Sequence, residues 1–233
     1  MSVNVLLFPG SNCDHDVIHC YENLFNQKVE VIWHRESELK NPDVVIVPGG
    51  FSFGDYLRTG AMAKVSPVMG AARKFAAAGG PVLGICNGFQ ILCEAGLLPG
   101  VLLQNISMKF LSRFVRIKVE SSSTPFTGAA RKGDIIHCPI AHFEGNYFAD
   151  GATIERLEGE GQVVFRYCGE QGQVDAENRE WNPNGAMRAI AGITNDKRNV
   201  VGLMPHPERA VEKVVGFCGG ESGRVVFASS VAG

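Results

Sequence analysis

Residues 81–94 read PVLGICNGFQILCE: an apolar run, a cysteine between two glycines, and the start of a helical pattern. Residues 81–85 predict a strand buried on both faces, and residues 89–94 predict the first turns of a helix. Between them, Gly84-Ile85-Cys86-Asn87-Gly88 has the form of a nucleophile elbow, with cysteine where hydrolases of the better-known type carry serine. The two glycines remove side chains that would collide with a sharp strand-to-helix turn. The thiol is left at the carboxyl end of a strand and the amino end of a helix, where backbone N–H groups favour a thiolate. Cys86 is therefore the candidate nucleophile.

The same strand design recurs at residues 3–8, which stop at Pro9-Gly10, at residues 29–33, and at residues 43–47, which end in Pro48-Gly49-Gly50. Helical patterns at residues 14–27 and 60–78 lie between them, the second Ala-rich with a solvated basic edge at Arg73 and Lys74. This alternation predicts an α/β fold: a mostly parallel central sheet with helices on both faces, its ligands bound beyond the carboxyl ends of the strands. Residues 114–120, 163–167, 188–194 and 199–204 read as antiparallel strands that extend the sheet or form a small side sheet. A polar stretch at residues 168–187, with the turn signal Asn182-Pro183-Asn184-Gly185, is a candidate lid or partner-docking loop. Without a repeat or linker, residues 1–233 read as one domain.

Composition narrows the function classes. The 233 residues carry 22 Lys and Arg against 24 Asp and Glu, so the net charge of -2 offers no footprint for nucleic acid. No apolar run is long enough for a membrane helix, and residues 1–15 lack the layout of a signal peptide, so a soluble cytoplasmic protein is expected. The seven cysteines are odd in number, widely spaced and without a C-x-x-C pair, which argues against a disulfide framework.

A cysteine nucleophile needs a base. Pro205-His206-Pro207-Glu208-Arg209 follows the strand predicted at residues 199–204, and in extended chain His206 and Glu208 point the same way. Glu208 could orient His206 while the other ring nitrogen faces Cys86, giving a Cys-His-Glu triad. Val47-Pro48-Gly49-Gly50-Phe51 ends another parallel strand; the N–H of Gly50 or Phe51, with that of Asn87, would supply an oxyanion hole. No P-loop or G-x-G-x-x-G pattern is present. Cys13, His15, His19 and Cys20, and separately His137, Cys138, His142 and Glu144, hold zinc-type ligands without a familiar complete spacing, so no metal is expected.

At Cys86, His206 and Glu208 the sequence resembles the class I, triad-type glutamine amidotransferases, a family with a flavodoxin-like sheet. The segments FPGSNCD (residues 8–14), GGFSFGDYLR (49–58) and AHFEG (141–145) are similar, more narrowly, to glutaminase subunits of multi-chain phosphoribosylformylglycinamidine synthase. The resemblance implies glutamine hydrolysis through a γ-glutamyl thioester on Cys86, with Gln90, His142 and Glu144 lining the glutamine pocket. Phe143 and Asn146 depart from the residues expected there. It also implies a large ATP-binding synthetase partner and a small accessory protein beside it. ATP and magnesium would belong to the synthetase, with no cofactor bound by this chain. The alternatives are a glutaminase serving anthranilate, aminodeoxychorismate or guanylate synthesis, or a non-catalytic protein whose elbow cysteine senses oxidants. The AHFEG and FPGSNCD segments speak against the first, and a base with its own orienting carboxylate against the second.

Overall fold

The computed structural model describes residues 1–231. In chain order, β1 is Ser2–Leu7, α1 Asp14–His19, β2 Lys28–Trp33, β3 Val44–Val47, α2 Pro67–Ala77, β4 Val82–Ile85, α3 Asn87–Glu94 and β5 Val101–Leu103. There follow β6 Leu111–Val119, β7 Ile135–His142, β8 Asn146–Phe148, α4 Gly151–Gly159, β9 Val163–Tyr167, β10 Ile190–Thr194, β11 Val200–Leu203 and α5 Arg224–Val231. Nine strands form one sheet in the order β2-β1-β3-β4-β11-β10-β9-β6-β7, and β5 and β8 pair separately. The expected α/β architecture is what the chain adopts; of the two arrangements expected for the antiparallel strands, β6, β9, β10 and β11 extend the main sheet, and the small second sheet is built from β5 and β8 instead.

The first five strands of that order are mutually parallel and the remaining pairings antiparallel. Strand β11, expected to be antiparallel, is so toward β10 but parallel to β4. This dual pairing follows from its position at the junction of the two halves. It also carries the segment after β11 to the same sheet end as the elbow after β4.

Two helices are shorter than their patterns suggest. The predicted helix at residues 60–78 begins only at Pro67, because a residue before proline avoids the helical region and Ser66 is extended with ψ 142°. Gly60 adopts φ +80°, and a side chain there would press on the Ile91 backbone at 2.9 to 3.0 Å. The helix predicted over residues 14–27 stops at His19 and continues as one π turn, Cys20–Leu24. Strand β7 was hidden from the sequence by Pro139, a residue tolerated only at sheet edges; β7 is the last strand of the sheet. Helices α4 and α5 and strands β5 and β8 also went unread.

The core runs continuously through both halves, from Val3, Val45 and Leu83 to Phe165 and Ile193, all fully buried. No helix among the described residues is long and apolar enough to cross a membrane.

Candidate active site

Strands β3, β4 and β11 are consecutive neighbours, aligned so that Val47 pairs with Gly84 and Leu203 with Ile85. Their carboxyl ends therefore stop together, at the strand spacing of about 4.8 Å. Gly49-Gly50, Cys86 and Pro205-His206 emerge side by side. Parallel strands in register are the physical reason that segments far apart in the chain converge.

At the elbow, Cys86 adopts φ 51°, ψ −105°, a conformation that costs energy for a side-chain-bearing residue and is held by its surroundings. Its amide donates to the Leu203 carbonyl at 2.8 Å, and its carbonyl accepts from the Gln90 amide as α3 begins. A side chain at Gly88 would lie 1.8 Å from the Val47 carbonyl oxygen, and one at Gly84 2.7 Å from the Gly88 backbone. Both glycines thus let α3 sit directly on β3 and β4. The cysteine sulfur faces the Ala141 carbonyl at 3.8 Å.

His206 is buried, its amide donating to the Pro139 carbonyl at 2.8 Å, and its Nδ1 lies 2.5 Å from Glu208 Oε1. Burial alone would lower the imidazole pKa, but the Glu208 carboxylate and the Cys86 sulfur outweigh it and hold His206 well above its ordinary value. Its Nε2 has no hydrogen-bond partner among the described residues. With Cys86, Cys13 and Arg209 it lines a cavity of about 130 Å³. Gly49 makes room for this ring: a side chain there would come within 2.8 Å of His206 Cε1.

The two segments of the expected oxyanion hole also meet. Asn87 Oδ1 accepts from the Ser52 amide at 3.1 Å, tying the start of α3 to the loop after β3. The Phe51 amide, however, donates to the Gly10 carbonyl at 2.8 Å. Of the pair Gly50 and Phe51, it is Gly50, at φ +148°, whose amide has no hydrogen-bond partner among the described residues.

The residues expected to bind substrate line one cavity of about 220 Å³ together with Cys86. Gln90 accepts from Asn87 Nδ2 at 3.1 Å and donates to the Glu144 carbonyl at 2.5 Å, so its amide braces the wall. Glu144 accepts from Thr59 Oγ1 at 2.5 Å. His142, only 3% exposed, has both ring nitrogens without hydrogen-bond partners among the described residues, and burial followed by the nearby His206 pushes its pKa down to about 3. It is a neutral imidazole in the pocket wall.

The metal-type ligands grouped in the sequence around Cys13 part company in the fold. His19 pairs with Glu212 at 2.7 Å and His15 is exposed, while Cys13 joins His206 and Glu208, with ligand atoms within 4.8 Å of one another. Arg209, bonded to Asp16 at 3.1 Å, donates to Cys13 at 3.0 Å. Burial nonetheless keeps the Cys13 thiol above its ordinary pKa. The loop read as a candidate lid or partner-docking segment is anchored at one point: Asn184 is buried and donates to the Gly145 carbonyl at 2.8 Å and to the Tyr167 hydroxyl at 3.0 Å. Cys13, Asp55, Thr59 and Ala141 were not singled out as site residues from sequence. The FPGSNCD, GGFSFGDYLR and AHFEG segments, which contain Cys13, Asp55 and Ala141, carried the signal that could have found them.

A cysteine elbow with a histidine–glutamate pair on the neighbouring parallel strand has the form of a triad amidotransferase, and residues 1–217 match the family described as CobB/CobQ-like glutamine amidotransferase domain. The phosphoribosylformylglycinamidine synthase subunit PurQ of Koribacter versatilis is 53% identical over 220 residues, covering 94% of each chain. That of Rubrobacter xylanophilus is 54% identical over 216 residues, 93% of this chain and 92% of its own. In the structure of PurLQS from Thermotoga maritima, one chain superposes with a TM-score of 0.84 at 42% identity, covering 99% of this chain and 97% of that one. The glutaminase domain of Trypanosoma brucei CTPS, 14% identical with a TM-score of 0.59 over 100% of this chain and 94% of its own, shares the fold. The chain belongs to the glutamine amidotransferase family and, within it, to the family of PurQ subunits.

Proposed function

We propose that the chain is the glutaminase subunit of phosphoribosylformylglycinamidine synthase, folded as a single amidotransferase domain, and that it supplies ammonia for de novo purine synthesis. The observation that carries the chemistry is the buried His206–Glu208 pair beside Cys86 at the ends of β11 and β4. Cys86 Sγ attacks the carboxamide carbon of glutamine, and the oxyanion is met by the amides of Gly50 and Asn87. The C–N bond breaks as His206 passes a proton to the leaving nitrogen, releasing ammonia and leaving a γ-glutamyl thioester. Water then attacks the thioester with His206 as base, giving glutamate and free Cys86. Glu208 holds the imidazole in the orientation and tautomer that both steps need.

Ammonia set free in water is protonated and lost as a nucleophile, so a glutaminase of this kind works docked on the enzyme that consumes it. The 42% identical chain in the PurLQS structure supports partnership with a large synthetase and a small third protein. ATP and magnesium belong to the synthetase in this reading, and the assembly is cytoplasmic. The test is alkylation by a glutamine-analogue electrophile. Modification of Cys86 alone, blocked by glutamine, supports the proposal. Labelling spread over several cysteines, or a Cys86→Ala variant that still supports glutamine-dependent synthesis in the reconstituted complex, sinks it.

A further inference from the structure

The glutamine pocket contains an acidic residue that the reaction just described does not use. Asp55 lies in a loop where Phe53, Gly54, Asp55 and Leu57 all have φ between 54° and 71°. Such backbone is costly for residues with side chains and persists only when the surroundings hold it. The holding contacts are visible: the Phe53 amide donates to the Pro9 carbonyl at 2.6 Å, and its ring packs edge-on to His34 with centroids 5.2 Å apart. The strained loop turns Asp55 into the 220 Å³ cavity, which Glu144 also lines.

There Asp55 Oδ1 is buried without a hydrogen-bond partner among the described residues, although buried carboxylate oxygens are ordinarily satisfied. Glu144 adds a second carboxylate, partly compensated by Thr59. Among the described residues no Lys or Arg lines the cavity to balance the pair, and His142, also in the wall, is neutral with both nitrogens unpaired. A concave site with two carboxylates, an unpartnered imidazole and a thiol at one end is built for an elongated ligand with a carboxamide at that end and a cationic group at the other. Glutamine carries its α-ammonium at the far end of a short methylene chain from the carboxamide.

We propose that Asp55 is a specificity-determining residue that binds the α-ammonium of glutamine, with Glu144 as the second carboxylate of that subsite. The inference rests on the glutaminase reading above. It explains the strained loop, since a backbone of this shape delivers a carboxylate to the cavity that Glu144 lines. It also gives the pocket a means of rejecting simple amides, because a carboxylate pair with no cation in the cavity wall is costly to leave beside a neutral ligand.

The experiment compares two electrophiles on the full-length chain in its synthetase complex: a glutamine analogue with its α-amino group and the same reagent lacking it. The second-order rate of Cys86 alkylation is measured for wild type and Asp55→Asn, a substitution that keeps size and tolerates positive φ. The expected result is a strong wild-type preference for the amino reagent, reduced by about 10- to 100-fold in the variant, with the loss confined to that reagent. A variant that loses reactivity equally toward both reagents, or that keeps the wild-type preference, overturns the proposal. Failure of the wild type to be alkylated at Cys86 is a different outcome and sinks the glutaminase reading itself. Asp55→Ala, read the same way, must lose the preference at least as far.

Discussion

The amide of Cys86 donates to the carbonyl of Leu203 at 2.8 Å, so the strand that ends in the elbow is bonded directly to the strand that leads to His206. Cys86 and His206, the proposed nucleophile and base, are thus positioned by one parallel ladder rather than by a flexible loop. The adjoining β3 completes the arrangement with Gly49 and Gly50.

This rigidity makes Glu208 the sensitive member. Replacing Glu208 with Gln removes the charge that keeps His206 protonated and aligned, and kcat should fall by about 10²- to 10⁴-fold while KM for glutamine changes little. Steady-state kinetics of the reconstituted complex check this. The same pair sets a pH effect on stability. Because the folded His206 pKa is raised, its stabilisation is complete below the ordinary histidine value and disappears as pH rises through the raised one. Melting temperature should therefore decline on the alkaline side, less steeply in the variant.

Gly88→Ala tests the elbow's packing. Its added methyl meets the Val47 carbonyl oxygen at 1.8 Å, so α3 must shift. The expected cost is about 1–3 kcal/mol, lowering Tm by roughly 2–12 °C in calorimetry. Retention of wild-type stability would mean that α3 does not rest on β3 this closely.

The carboxyl of Asp55 is pushed up to about 6 by burial and then by Glu144, the charged group facing it, with neutral His142 also in the wall. Below that pH Asp55 is uncharged and offers the ammonium nothing, so the preference for the amino-bearing reagent should fall as pH drops through about 6. Asp55→Asn should show a flat profile over the same range. Rates measured between about pH 5 and 8, a window that spans the raised value and lies above the ordinary carboxyl one, decide.

Thiol labelling separates the cysteines. Cys20, Cys93 and Cys138 are buried and held far above the ordinary thiol range by desolvation, whereas Cys218 is exposed. A small neutral thiol reagent should modify Cys218 regardless of glutamine, and Cys86 only in its absence. Peptide mapping by mass spectrometry reads this out.

Asn184→Ala should leave the Gly145 carbonyl and the Tyr167 hydroxyl without their donor in the interior. A loss of about 1–3 kcal/mol is expected, with a higher KM for glutamine because the strand-to-pocket turn at His142–Gly145 loosens. Chemical denaturation and steady-state kinetics on the same preparation measure the two effects.

Local features were legible in the chain alone: short β-branched runs buried on both faces, the Gly-Cys-Gly elbow, and the spacing of His206 and Glu208. Each depends on neighbours in the chain, and glycine sterics or the period of a strand express them directly. The remaining features depend on contacts between distant segments, which only folding brings together. Pro139 disguised β7, which nonetheless holds His206 through its carbonyl and brings His142 to the pocket. The choice of Gly50 over Phe51 as the free amide turned on a hydrogen bond to Gly10. Asp55 acquired its place because a loop with positive φ is stabilised by Phe53 packing on His34, a long-range contact that no local pattern encodes.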